Sequence, residues 1–237
     1  MWRFTKRVLS NRRVRVWLGV VGLFALVVIG AAGWHVKDAT DPARVEPIVL
    51  PGDLVFADGD IILAGGVSLQ SRAVTALVGG ERYSHVGLIE LTEDGPMVLH
   101  ASPRGAGDGG VGDRVARLPL AVFLCERGDG AVRLLRLRPS EADAEATFAI
   151  PAEAARIAGG YADAAVPFDH RYDLAEHEAL YCTELVWLAY AQAGLDWPDA
   201  IYSHPSLTRA DGPVILPGSF VDDARFTTVW DTAPDSD

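Results

Sequence analysis

An uncharged apolar run at residues 16–34 constrains this chain more than any other feature of its sequence. The run, VWLGVVGLFALVVIGAAGW, has 19 residues. As a helix it would span roughly 28 Å, about the thickness of a hydrocarbon core. A helix of this length in a soluble core normally keeps a polar stripe, and this run has none. Six basic side chains and no acidic one precede it. We therefore predict a basic cytoplasmic segment at residues 1–15 and a transmembrane anchor at residues 16–36.

A cleaved secretory signal peptide is the alternative interpretation of this segment. Signal peptides also begin with basic residues, but their apolar stretch is about 7–15 residues long. The small residues at 31–33 (AAG) would serve as a cleavage site. The longer run favours an uncleaved, single-pass anchor. Because basic flanks stay in the cytoplasm, the rest of the chain is expected on the periplasmic, extracytoplasmic side of the cytoplasmic (inner) membrane.

The remainder of the chain reads as a linker at residues 37–48 and a single domain at residues 49–237. Within the domain, a short strand is predicted at residues 53–56, after a Pro-Gly turn, and an alanine-rich helix at residues 152–158 is predicted to stop at the glycines 159–160. Its net charge makes nucleic acid an unsuitable partner, since the whole chain carries −11 and every acidic residue follows the apolar run. Two cysteines without a Cys/His cluster exclude a disulfide-rich scaffold and a zinc finger. No phosphate-binding glycine loop is present, and the sequence predicts no cofactor.

Two histidines fall on a predicted β-hairpin formed by residues 85–91 and 96–101. An even number of loop residues places His85 and His100 on one face of the sheet. A four-residue loop from Thr92 to Gly95 pairs Gly87 with His100, so that the two imidazoles are diagonal neighbours about 7–8 Å apart at their α-carbons. A tight turn at residues 94–95 would instead separate them by about 13 Å. Each histidine alone is more typical of a hydrogen-bonded structural residue.

Cys182 opens the best predicted helix of the domain, at residues 181–193. The unsatisfied N–H groups and partial positive charge of a helix N-terminus favour a thiolate. The residue also falls on the apolar stripe of Leu185, Val186 and Ala189, which directs it toward the sheet. Two alternatives stay open: Cys182 as a small apolar filler of that stripe, and a disulfide with Cys125, which is otherwise expected in the core.

A metal site is the weakest of the candidate sites. His170 with Asp169 and Asp173 would offer ligands, as would the run at residues 176–178 (EHE). Such acidic and histidine-containing runs are usually solvated surface, so the sequence predicts no metal.

Five segments together resemble the YiiX/YebB-like permuted papain-fold cysteine hydrolases. These belong to the NlpC-type cysteine peptidase superfamily and are related to lecithin:retinol acyltransferase-like proteins. The segments are GDLVF at 52–56, SLQSRAV at 68–74, YSHVGLIE at 83–90, VLHAS at 98–102 and YCTELVW at 181–187. The resemblance implies an α+β domain with a circularly permuted papain-like fold, in which an antiparallel sheet or partial barrel packs against helices.

The resemblance also implies a catalytic set. Cys182 matches the nucleophile, His85 the general base and His100 the third polar position, which is often a carboxylate in YiiX-like proteins and a histidine in the acyltransferase-like branch. The expected activity is that of a membrane-anchored cysteine hydrolase, an amidase or peptidase acting on cell-envelope peptides through an acyl-enzyme. The alternatives are an acyltransferase or lipid hydrolase acting on a lipid-derived acyl group, and a non-catalytic binding module. Gln70, Tyr83 and Tyr181 flank the predicted centre without an assigned role.

Overall fold

A six-stranded antiparallel sheet forms the centre of the part of the chain that the structure describes. This computed structural model describes residues 48–65, 82–103, 112–127, 131–139, 144–203 and 212–232, all within one compact unit, Val45–Asp237. The predicted cytoplasmic segment and anchor, and the linker up to residue 47, lie outside the described residues. No helix within the described ranges is both long enough and apolar enough to cross a bilayer.

The strand order in the sheet is β4-β3-β2-β1-β5-β8, with every neighbouring pair antiparallel. Its strands are β1 (Ile61–Ala64), β2 (His85–Thr92), β3 (Gly95–Ser102), β4 (Arg114–Pro119), β5 (Val132–Leu137) and β8 (Phe226–Asp231). A separate two-stranded ladder joins β6 (Tyr202–Ser203) to β7 (Val214–Ile215). The described helices are α1 (Leu120–Arg127), α2 (Ala144–Asp163), α3 (Cys182–Gln192) and α4 (Pro217–Asp222).

Alternation along the strands divides the core into two layers. On β2, Val86 and Leu88 join the larger cluster, which also contains the buried residues of α2 and α3. The opposite face of β2 carries His85, Gly87 and Ile89, and this face packs against the smaller cluster, which includes residues of α1. The sheet is therefore covered on one face by α2 and α3 and on the other by α1.

The hairpin has the register that brings the two histidines together. β2 and β3 pair Leu88 with Leu99 and continue to Thr92 opposite Gly95. The same register sets Gly87 opposite His100, as predicted for the wider loop. The ladder runs one pair farther than predicted, so the connection itself is two residues, at positions 93 and 94.

Other local predictions were mixed. The helix predicted at residues 181–193 is confirmed as α3, and Gly194 follows it with the left-handed φ of 100° that favours glycine. The strand predicted at residues 53–56 is wrong, since this stretch has no strand pairing. The helix stop predicted at residues 159–160 is also wrong, because α2 continues to Asp163. Cys125 is exposed on α1 and not in the core.

Candidate active site

The two histidines of the hairpin form one hydrogen-bonded pair. His85 Nε2 lies 2.9 Å from His100 Nδ1, and the rings meet edge to face with their centroids 5.2 Å apart. Both residues are buried, and the Phe123 ring of α1 packs on each of them, at 5.8 and 5.7 Å between centroids. If His85 donates from Nε2 to His100 Nδ1, then Nδ1 of His85 is its basic nitrogen. The buried hydrogen bond therefore fixes the two imidazoles relative to one another.

Gly87 leaves the room that this pair needs. A Cβ atom added to Gly87 would lie 2.6 Å from Val98 Cγ1, 2.8 Å from the Leu99 carbonyl oxygen and 3.3 Å from His100 Cβ. Contacts this short are not tolerated without movement of the neighbouring strand. Glycine at this position therefore allows His100 to pack directly across β2 on the face that carries His85.

Cys182 is the first residue of α3 and is held from both sides. The hydroxyl of Tyr181 accepts a hydrogen bond of 3.2 Å from the backbone N–H of Ile215, and the hydroxyl of Thr183 donates one of 2.7 Å to the Ile215 carbonyl. Cys182 is partly buried against the larger core cluster, and it does not form a disulfide with Cys125. The helix start is thus fixed to β7 on either side of the thiol.

The segment before α3 reaches the end of the sheet at which β2 begins. Leu180, two residues before Cys182, bridges to Phe168. Phe168 in turn donates its backbone N–H to the carbonyl of Asp113, at 3.0 Å. β4 begins at the next residue, opposite Ser102 at the end of β3. Because β2 and β3 form an antiparallel hairpin, the end of β3 lies beside the start of β2.

The other end of α3 fixes its level along β2. The Tyr190 hydroxyl donates a 2.6 Å hydrogen bond to the Gly59 carbonyl, and the N–H of Gly59 donates to the Ile89 carbonyl at 2.8 Å. Eight helical residues from Tyr190 back to Cys182 rise roughly 12 Å. Four strand residues from Ile89 back to His85 cover roughly 13 Å. Cys182 and His85 therefore lie at a similar level along the strand direction.

Cys182 and the two imidazoles lie on opposite faces of the sheet. The imidazoles project into the α1 layer, whereas α3 packs on the opposite face of the sheet. His85 is the first residue of β2, so no further residue of the strand stands beyond it. The structure therefore brings His85 and His100 together and places Cys182 in the opposite layer, and a contact between Cys182 and His85 would be made around this strand end.

A buried carboxyl group lies in the first turn of the helix that Cys182 begins. Glu184 is fully buried, with Oε1 2.8 Å from His177 Nδ1 and Oε2 3.3 Å from the backbone N–H of Tyr181. Burial, with a smaller contribution from Asp169 and Asp173, raises the pKa of Glu184 to about 8. With this pKa the carboxyl group is mainly protonated at neutral pH. Sequence reasoning missed this residue, although a Glu at the third helical position is a known N-terminal signal.

The remaining candidates have structural partners. The Tyr83 hydroxyl donates to Asp231 at 3.3 Å, and burial raises the pKa of Tyr83 to about 12. His170 lies 2.8 Å from a carboxylate oxygen of Asp113. His177 meets Glu184 and does not meet its acidic neighbours in sequence. Gln70 lies outside the described residues.

Comparisons with known proteins show a similarity of fold to a solved structure. No protein-family model and no curated protein matches the chain. The solved structure of YiiX from Escherichia coli O157:H7, a protein described as a metalloprotein, matches with a TM-score of 0.57 and 22% sequence identity, over 75% of this chain and 98% of YiiX. The described residues contain no group of three or more His, Cys, Asp and Glu side chains that would hold a metal, so we derive no step through a metal. What the chain shares with YiiX is its fold, an antiparallel sheet packed against helices.

Proposed function

We propose that this chain is a cysteine-dependent hydrolase of amide bonds, tethered to the cytoplasmic membrane by residues 16–36 and acting on cell-envelope peptides. Cys182 is the nucleophile, His85 the general base and His100 the residue that orients His85. The observation that carries the proposal is the buried hydrogen bond between His85 Nε2 and His100 Nδ1. Because Nε2 of His85 is engaged by His100, we assign the proton transfer to Nδ1 of His85.

The proposed reaction is an acyl transfer through a thioester. His85 removes the thiol proton of Cys182, and the thiolate attacks the amide carbonyl carbon. Backbone N–H groups in the first turn of α3 stabilise the oxyanion. Protonated His85 then gives its proton to the leaving amine as the C–N bond breaks. Water, deprotonated by His85, hydrolyses the thioester and regenerates the thiol.

Burial supports the assignment of His100 as an orienting group. A neutral His100 accepts the proton of His85 Nε2–H and holds the ring in one tautomer, because His100 is itself fixed by the Phe123 ring. When His85 becomes an imidazolium, both of its nitrogens are donors and the hydrogen bond to His100 is retained. The pair therefore accommodates a positive charge on His85 without rearrangement.

Alkylation by iodoacetamide tests the proposal at the thiol. Replacing the exposed Cys125 by Ala leaves Cys182 as the target. The Cys125→Ala parent is expected to react faster at pH 6 than a model thiol, with the reaction lost in the Cys125→Ala/Cys182→Ala double variant. Adding His85→Gln should slow alkylation about a hundredfold, the scale of a lost general base. Equal alkylation rates with and without His85 would contradict the proposed pair.

An acyltransferase or lipid hydrolase is the second candidate. It is favoured by the third residue, since a histidine at the position of His100 is what the acyltransferase-like branch carries. Intact mass after incubation with a phospholipid and with a cell-wall peptide separates the two activities. An acyl adduct on Cys182 formed from the phospholipid alone would select this candidate. A non-catalytic binding module would give no adduct and a thiol of ordinary reactivity.

A further inference from the structure

A cavity of about 660 Å³ opens beside the start of α3. It lies between residues 170–175, the Trp187 side chain of α3, Tyr202 of β6 and the two residues that precede β7. Its volume is within the range of ligand sites in enzymes. The mechanism above does not use any of these side chains.

The cavity is close to the proposed nucleophile. Tyr172 forms part of its wall and packs its ring on that of Tyr181, with 5.2 Å between centroids. Burial raises the pKa of Tyr172, and the adjacent Cys182 adds to this effect. Trp187, on another part of the wall, is five residues along the same helix, a rise of roughly 7.5 Å. An extended peptide covers about 3.3–3.6 Å per residue, so two or three of its residues would bridge the axial rise from the helix start to Trp187.

The turn that contains Tyr172 has a strained backbone conformation. Tyr172 has a φ of 56°, in the left-handed region that favours glycine. Asp169, which is 93% buried, holds the turn through hydrogen bonds from the backbone N–H groups of Arg171 and Asp173, at 2.7 and 2.6 Å. Strained conformations fixed in this way cluster at functional sites. A glycine would relax the backbone but would remove the ring.

The chemistry of the wall discriminates between ligands. Its aromatic side chains are Tyr172, Trp187 and Tyr202, and its polar ones include Arg171 and Asp173, of opposite charge. A fatty acyl chain offers no hydrogen bond to either of these polar side chains, which form an ion pair at 3.6 Å and also face water. A peptide offers both apolar side chains for the rings and amide groups for the polar atoms.

We infer that this cavity binds the peptide part of the substrate, two to three residues from the scissile amide, and that the Tyr172 ring determines specificity there. The inference rests on the proposed function, because it assigns a substrate segment to the same thiol. Its occupant is a short peptide and not a lipid acyl chain. Tyr172 is a binding residue and takes no part in the proton transfers.

Affinity labelling of Cys182 tests the inference. The probe is N-acetyl-Ala-Ala chloromethyl ketone, applied to the full-length Cys125→Ala protein, with decanoyl chloromethyl ketone as the lipid-like comparison. Saturation kinetics separate the binding constant KI from the maximal alkylation rate. Tyr172→Gly is expected to raise KI for the peptide probe about tenfold, the scale of one lost aromatic contact. Glycine relieves the strained φ, whereas loss of the ring removes its contacts with Phe168 and Tyr181, so thermal unfolding is measured to show that the variant is folded.

Ala165→Gly is the matched control. Ala165 has a φ of 51° and, with Tyr172, is one of two non-glycine residues with positive φ in the described ranges. Ala165→Gly relieves a positive φ without removing an aromatic ring, so it should leave KI unchanged. Non-saturable labelling by the peptide probe, an unchanged KI in Tyr172→Gly, or an effect confined to the decanoyl probe would each overturn the inference. Failure of the proposed function is separate, since iodoacetamide would then find an unreactive Cys182 in the parent.

Discussion

Replacing Glu184 by Gln should make the folding stability of this domain less dependent on pH. The pKa of Glu184 is about 8 in the folded protein, against 4.5 for an unperturbed glutamate. Between these values the unfolded chain releases a proton that the folded chain keeps, so the free energy of unfolding falls as pH rises. The stabilisation is full below pH 4.5 and is lost by the time pH passes 8.

The magnitude follows from the size of the shift. One pKa unit corresponds to about 1.4 kcal/mol, so an ionised Glu184 costs the fold at most about 5 kcal/mol, and at pH 7 the penalty is about 3 kcal/mol. Gln cannot ionise, yet its carbonyl can accept from the Tyr181 N–H and its amide can donate to His177 Nδ1. Glu184→Gln should therefore match the wild type at pH 4.5 and exceed it in stability increasingly up to pH 8.

Urea unfolding at several pH values between 4.5 and 8 measures this difference. The control is Glu178→Gln, which removes a negative charge from an exposed position of the same segment and should give a difference that does not vary with pH. A wild type that gains stability relative to Glu184→Gln above pH 6 would refute the reasoning.

Two further substitutions test the sheet. Gly87→Ala should destabilise the domain by about 1–3 kcal/mol, because the new methyl group meets Val98 Cγ1 at 2.6 Å; thermal unfolding measures this. Gly160→Ala is its control, because a Cβ there meets nothing within 4 Å and the helix should gain up to about 1 kcal/mol. Asp60→Asn should cost about 1–3 kcal/mol by chemical denaturation, because the buried Asp60 carboxylate accepts two hydrogen bonds from Arg136, at 2.7 and 2.6 Å, while the Arg136 side chain keeps part of its contact with water. A loss below 1 kcal/mol would show that this ion pair contributes little to the fold.

The histidine pair and the start of α3 could be predicted because each depends on local patterns. Strand alternation and the length of one loop set the relation of His85 to His100. The side of the sheet covered by α3 could not be predicted, since it depends on packing between distant segments. The pair of Glu184 and His177 was missed for a similar reason, because a loop histidine meets a helix carboxyl group only after the loop folds back.

A glycine that is required by tertiary packing also cannot be distinguished, from sequence alone, from one that ends a helix. The glycines at 159–160 suggested a helix end, but α2 continues through them. A Cβ on Gly159 would lie 2.8 Å from the guanidinium of Arg117 and 3.0 Å from the carboxylate of Glu90, which form an ion pair with N–O distance 2.6 Å. This glycine provides a close approach between helix and sheet. Nothing within α2 itself reveals that requirement.

The hydrogen bond between Tyr190 and Gly59 has a consequence at the far end of α3. The backbone of Gly59 packs closely against α2, since a Cβ atom at this position would lie 2.2 Å from the Pro151 carbonyl oxygen. A helix is stiff along its axis, so a displacement at this junction is carried to Cys182 almost undiminished. Substitutions near Gly59 are therefore expected to change the reactivity of the Cys182 thiol, roughly 12 Å away along the helix, without altering any group around the thiol.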